Sequence, residues 1–90
     1  MIVKKIHYSI AFIRRFTKLP GDVKKTAVIK QELFQKNPLH PSLRLHMLTG
    51  KLSEYWSISI TKNYRIIFQR MENGDILFMS IGSHDIYKYL

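Results

Sequence analysis

Between Tyr55 and Asp85 apolar and polar side chains alternate with a period of two, the pattern of strands that turn one face to a core. Trp56, Ile58 and Ile60 alternate with Ser57 and Ser59, and Tyr64, Ile66 and Phe68 carry the apolar set onward, which predicts two antiparallel strands. Directly opposed residues share a sheet face, and this sets the turn between them. A two-residue loop at Lys62-Asn63 would place Ser59 across from Ile66 and mix the faces. A three-residue loop, Thr61-Lys62-Asn63, instead aligns Ile60 with Tyr64 and Ile58 with Ile66, with Asn63 in the left-handed conformation it tolerates. Asn73-Gly74 predicts a second hairpin with a two-residue loop and Glu72 opposite Asp75. Counting outward pairs Phe68 with Met79, Ile67 with Ser80, Ile66 with Ile81 and Arg65 with Gly82, while the first hairpin pairs Ser59 with Arg65. Both turns point to one open face carrying Ser59, Arg65, Ser80 and Gly82, with His84 next along the last strand. An arginine and a histidine are thereby brought together; the alternative for Arg65 is a solvated cation on an exposed face. Gly82 inside a strand marks close approach of a ligand or another backbone.

Upstream, Ile2, Ile6 and Tyr8 alternate with Val3 and Lys5, which predicts a first strand with an edge-like start at Lys4. Ser9 is placed to cap a short helix whose apolar stripe is Phe12, Ile13, Phe16 and Leu19, ended by Pro20-Gly21. Asp22 opens a second, amphipathic helix to about Lys36, with Val23, Ala27, Ile29, Leu33 and Phe34 in one sector. Two prolines, Pro38 and Pro41, mark a connector. Leu43, Leu45 and Met47 then alternate with Arg44 and His46 as a strand with an apolar and a basic side, stopped at Thr49-Gly50. The loop from Lys51 to Glu54 leaves open whether His46 reaches Arg65. The expected architecture is α+β in the order β-α-α-β-β-β-β, with the two helices packed on one face of a small, antiparallel-rich curved sheet.

Ninety residues make a single domain, residues 1–90, long enough to bury about 60 to 65% of the unfolded chain's surface. With no cysteine there is neither a disulfide framework nor a thiolate metal site, and His7, His40, His46 and His84 lack a zinc-like spacing, so no metal and no cofactor are expected. The lysine-interrupted N-terminus argues against a signal peptide or a membrane span and for a cytoplasmic place. Fifteen Lys and Arg stand against six Asp and Glu, a net charge of +9. Such a surface seeks a polyanion: nucleic acid, an acidic membrane surface or an acidic protein.

The segments HPSLRLHMLTGKL, YWSISITKNYRIIF and the terminal IGSHDIY, in that order after a strand and two helices, resemble the RelE/ParE superfamily of bacterial toxins, and most of all its RelE- and YafQ-like branches. The resemblance implies the toxin of a toxin-antitoxin system: an endoribonuclease that cuts mRNA in the ribosomal A site without metal until a cognate antitoxin binds it. Such chemistry needs a base for the 2′-hydroxyl, a cation for the developing phosphorane and an acid for the leaving 5′-oxygen. By the resemblance, Arg65 is the phosphate-stabilising arginine, His84 the general acid and His46 a candidate base. Lys51 and Glu54 fall in the loop where related toxins place basic or acidic catalytic groups, and Tyr87 is placed to stack on a base. Arg44, Lys51 and Lys62 are expected to contact RNA. The chain departs from the YafQ-like pattern at Ser59 and Asn63, where that branch carries a histidine and an aspartate, so the base stays open between His46, Glu54 and His84. Two other functions fit the same charge and fold: a ParE-like poison of DNA gyrase, and a non-toxic basic RNA-binding module.

Overall fold

The structure, a computed structural model, describes residues 1–83 together with Ile86 and Tyr87. Its elements run β1 (Ile6–Tyr8), α1 (Ile10–Thr17), α2 (Gly21–Lys36), β2 (His46–Met47), β3 (Trp56–Ser59), β4 (Tyr64–Arg70) and β5 (Ile76–Ser83). They form the predicted α+β order. The strands make one sheet, β1-β5-β4-β3-β2, in which β1 runs parallel to β5 and the other neighbours are antiparallel.

The apolar alternation builds the core face. Ile58, Ile66, Phe68, Phe78 and Ile81 are completely buried there and meet Phe12, Ala27 and Phe34 from the helices. Phe34 packs between Phe68 and Phe78, with ring centroids 5.1 and 6.1 Å away. Each such ring contributes roughly 1.5–3 kcal/mol by leaving water. The helical stripes are narrower than predicted: Ile13 and Ile29 are 51% and 63% exposed, because the sheet is too small to receive two full sectors. Ser9 caps α1 as expected, its hydroxyl accepting from the Phe12 amide at 3.0 Å. The β1 strand is confined to Ile6–Tyr8 rather than starting near Ile2, which is 79% exposed.

The first hairpin has the predicted register, with Trp56, Ser57, Ile58 and Ser59 opposite Phe68, Ile67, Ile66 and Arg65. Its turn is shaped differently. Asn63 is not left-handed, because the Thr61 hydroxyl accepts from the amides of Asn63 and Tyr64, both at 3.2 Å, and closes the turn without positive φ.

The second hairpin corrects the prediction twice, and the two differences cancel. Its loop has three residues, Glu72-Asn73-Gly74, closed by the Met71 amide donating to the Asp75 carbonyl at 2.8 Å. Asn73 Oδ1 takes the Asp75 amide at 2.9 Å and Gly74 supplies φ +92°. Phe68 therefore faces Phe78, not Met79. A bulge between Ile67 and Phe68 leaves Met79 as the extra residue and restores the predicted pairs Ile67–Ser80, Ile66–Ile81 and Arg65–Gly82. The bulge is held by Ser9, whose hydroxyl donates to the Met79 carbonyl at 2.7 Å. One residue thus caps α1 and satisfies the bulge that sets the register around Arg65.

The predicted strand from Leu43 to Met47 is only two residues long. Leu43 lies in a short 3-10 turn, Pro41–Leu43, completely buried, and Arg44 follows it with φ +47°. That left-handed residue breaks the extended run, so Met47 is left 52% exposed. No helix among the described residues is long and apolar enough to cross a membrane.

Candidate functional site

The face of the sheet opposite the helices carries the polar residues in rows. One row holds Ser59, Arg65 and Gly82 on β3, β4 and β5, and the next holds His46, Ser57, Ile67 and Ser80 on β2 through β5. The register left open by the β2–β3 loop is thereby settled: His46 sits opposite Ser57, on the same face as Arg65. Two strands across and two residues along, their Cα atoms are about 12 Å apart at ordinary sheet spacings, a gap that two long side chains and a phosphodiester between them can span.

This face is not open as predicted. Ser57 and Ile67 are fully buried and Ser80 is 3% exposed, while Ser59 and Arg65 are half-buried. Covering comes in part from the chain beyond β5, which brings Ile86 against Gly82 so closely that a Cβ at residue 82 would collide with the Ile86 Cγ2. The close approach signalled by Gly82 is therefore made by the protein's own Ile86.

Burial changes the character of Arg65. Its Nε is enclosed without a hydrogen-bond partner, as are the hydroxyls of Ser57 and Ser80, and no carboxylate pairs with it among the described residues. Unsatisfied buried donors lower stability, and three polar atoms on one face, one of a guanidinium, stand unpaired among the described residues. His46 is exposed, and its Nδ1 lies 2.9 Å from the Arg44 carbonyl. A carbonyl only accepts, so Nδ1 carries the proton, and in the neutral ring Nε2 is the nitrogen with the lone pair.

The other predicted residues are placed less centrally. Lys51 and Glu54 are exposed on the β2–β3 connection and make no hydrogen bond or ion pair among the described residues. Tyr87 is half-buried. His84 lies outside the described residues. Arg44 and Lys62 line a cleft with Lys30 of α2. Sequence reasoning missed Lys30, which reads as one more solvated position on an amphipathic helix. It also missed Arg15 of α1, whose Nη1 comes within 3.9 Å of where a Gly82 Cβ would stand, beside the partner of Arg65; only the α1–β5 packing brings it there. Among the described residues no group of three or more His, Asp or Glu side chains is gathered closely enough to hold a metal ion.

Among the described residues one titration shift stands clear, and it lies far from this face. Asp75 is held below the usual carboxylate range chiefly by its hydrogen bond with His7, Nε2 to Oδ2 at 2.9 Å, with partial burial opposing. Seven residues separate it from Gly82, about 23 Å along an extended strand, so the pair ties β1 to the second hairpin and has no part in the site.

Two helices on one side of a five-stranded sheet, with Arg65 and His46 on the other, make up the RelE-like fold. Escherichia coli YafQ is similar to this chain, with a TM-score of 0.74 at 18% identity over 90% of this chain and 93% of that one. The E. coli DinJ-YafQ toxin-antitoxin complex gives 0.72 and 18%, over 92% and 94%, and a YoeB/ParE toxin from Agrobacterium tumefaciens gives 0.73 and 13%, over 90% and 99%. At such identities the likeness is one of fold. A search of curated protein sequences finds no match. Residues 4–88 match the family described as bacterial toxin of type II toxin-antitoxin system, YafQ, and the chain belongs to that family.

Proposed function

We propose that this toxin is an mRNA endoribonuclease acting in the ribosomal A site, and that it halts translation in the cytoplasm, where ribosomes are. The observation that carries the reading is Arg65: a half-buried guanidinium with an orphaned Nε and no counter-ion among the described residues, sharing a sheet face with an imidazole whose Nε2 makes no hydrogen bond to them. His46 Nε2 takes the proton of a ribose 2′-hydroxyl, and the 2′-oxygen attacks the adjacent phosphorus. Arg65 stabilises the phosphorane oxygens with its planar fork of donors. The P–O5′ bond breaks, His84 protonates the leaving 5′-oxygen, and a 2′,3′-cyclic phosphate remains. No metal is needed in this scheme. Tyr87 stacks on a neighbouring base, and Arg44, Lys51 and Lys62 hold the RNA by its charge.

The partner that silences it is a cognate antitoxin with an acidic, amphipathic segment. Between α1 and α2 lies a mostly apolar groove of about 240 Å³ lined by Tyr8, Phe12, Ile13, Phe16, Val28 and Gln31, on helices that also carry Arg14, Lys24 and Lys25. Primer extension on cellular mRNA after induction tests the nuclease reading. Cuts inside reading frames are expected for the wild type, and Arg65→Ala should lower cleavage by about 10²–10³-fold without lowering the melting temperature. Intact mRNA with trapped gyrase-DNA complexes would overturn it.

A further inference from the structure

At the edge of the sheet the C-terminal half of α2, the 3-10 turn Pro41–Leu43 and the β3–β4 hairpin enclose a cleft of about 420 Å³. Lys30, Arg44 and Lys62 bring three cations to it from three separate elements, with hydroxyls from Ser42, Ser59 and Thr61 between them and Ile60 at its apolar side. One cation is tied by its side chain, and the backbone that carries the other two is fixed. Lys30 Nζ donates to Ser42 Oγ at 3.0 Å. Ser42 is itself fixed by His40, whose Nδ1 accepts the Ser42 amide at 3.1 Å and lies 2.9 Å from its hydroxyl. Arg44 is set by its left-handed backbone and by its amide, which donates to the Pro41 carbonyl at 3.1 Å. Lys62 stands in the turn that Thr61 closes.

No carboxylate lines the cleft, and none of the three cations forms an ion pair among the described residues. Like charges gathered on a concave wall repel one another unless an anion sits between them, and such a wall concentrates the field that attracts one. Among the described residues no aromatic ring lines it either, so none of them gives a base a stacking surface. A charge-lined, ring-free cleft suits the sugar-phosphate backbone. One of its lining residues, Ser59, lies directly opposite Arg65 on the sheet, about 5 Å away between Cα atoms.

We infer that this cleft is a backbone subsite for single-stranded RNA, holding the phosphate beside the one that Arg65 engages, and that Lys30 of α2 is an RNA-binding residue. The choice of RNA rests on the nuclease reading; an acidic protein segment is the competing occupant. Binding there is independent of sequence, since phosphates carry no base identity.

The test is binding of short fluorescein-labelled oligouridylate and oligoadenylate to purified toxin across a salt series, for wild type, Arg65→Ala and the double variant Lys30→Gln/Lys62→Gln. The double variant should lose affinity equally for both sequences, and its slope of log K against log salt should fall by about 0.7, the value for the one phosphate contact removed. Its cuts on mRNA should become fewer without moving. Wild-type affinity and slope in the double variant, with Arg65→Ala still inactive, would overturn the inference and leave the nuclease reading standing. RNA binding that falls as expected, in a wild-type toxin that cuts no mRNA, would support the cleft and sink the nuclease. Weakened antitoxin binding with RNA binding intact would assign the cleft to the protein partner and overturn the inference.

Discussion

Gly82 offers a test of the architecture in which the sign of an effect, not only its size, is at stake. The residue lies in β5 outside the left-handed region, a position where replacing glycine by alanine ordinarily gains about 0.5–1 kcal/mol. Here the new methyl would collide with Ile86 Cγ2. That atom belongs to a β-branched side chain only 2% exposed, so it has little rotamer freedom with which to move aside. Overpacking of this kind costs about 1–3 kcal/mol. Gly82→Ala should therefore destabilise the protein by about 1–2 kcal/mol net, lowering the melting temperature by about 4–8 °C for each kcal/mol. Ile86→Ala alone removes a buried side chain and should cost about 2–5 kcal/mol. In that background the obstructing methyl is gone, and adding Gly82→Ala should stabilise by about 0.5–1 kcal/mol. Thermal and urea unfolding of the four proteins completes the double-mutant cycle. Simple additivity, or a Gly82→Ala variant that melts with the wild type, would refute the packing of Ile86 onto this face.

His46→Gln and His84→Gln should each lower mRNA cleavage by about 10²–10⁴-fold without changing the melting temperature; near-native cleavage by His46→Gln would move the base to Glu54. Asp75 has a depressed pKa, so its contribution to stability is present above its unfolded value of about 3.9 and is lost as pH falls through the folded value. Asp75→Asn should therefore melt below the wild type near neutral pH and converge with it in acid, and a deficit that persists undiminished at low pH would count against the His7 contact. Ile13→Asp, on an exposed side chain of the α1–α2 groove, should weaken antitoxin binding while leaving mRNA cleavage by the free toxin intact; unaltered antitoxin affinity would place the partner elsewhere.

Much of the fold is legible in the chain because its signals are local. The period-two run through Ile58, Ile66 and Phe68, the Ser9 cap and the two turns identify the strands, one helix start and the order of elements. The face shared by Arg65, Ser59 and Gly82 follows from the same alternation. The second turn shows how far such counting reaches: Asn73-Gly74 marks the hairpin correctly, yet the loop is one residue longer and the Met79 bulge takes that residue back. The Ser9 hydroxyl that accommodates the bulge is seventy residues away, beyond any local pattern.

Sequence by itself determined what depends on near neighbours: strands, helices, the charge of +9 and the sheet face that Arg65 occupies. Tertiary structure decided what depends on distant segments meeting: the register of His46, the covering of the polar face by Ile86, the arrival of Arg15 beside Gly82, and the union of Lys30 with Arg44 and Lys62 in one cleft. Periodicity records which side of an element a residue takes, whereas these encounters depend on how whole elements pack.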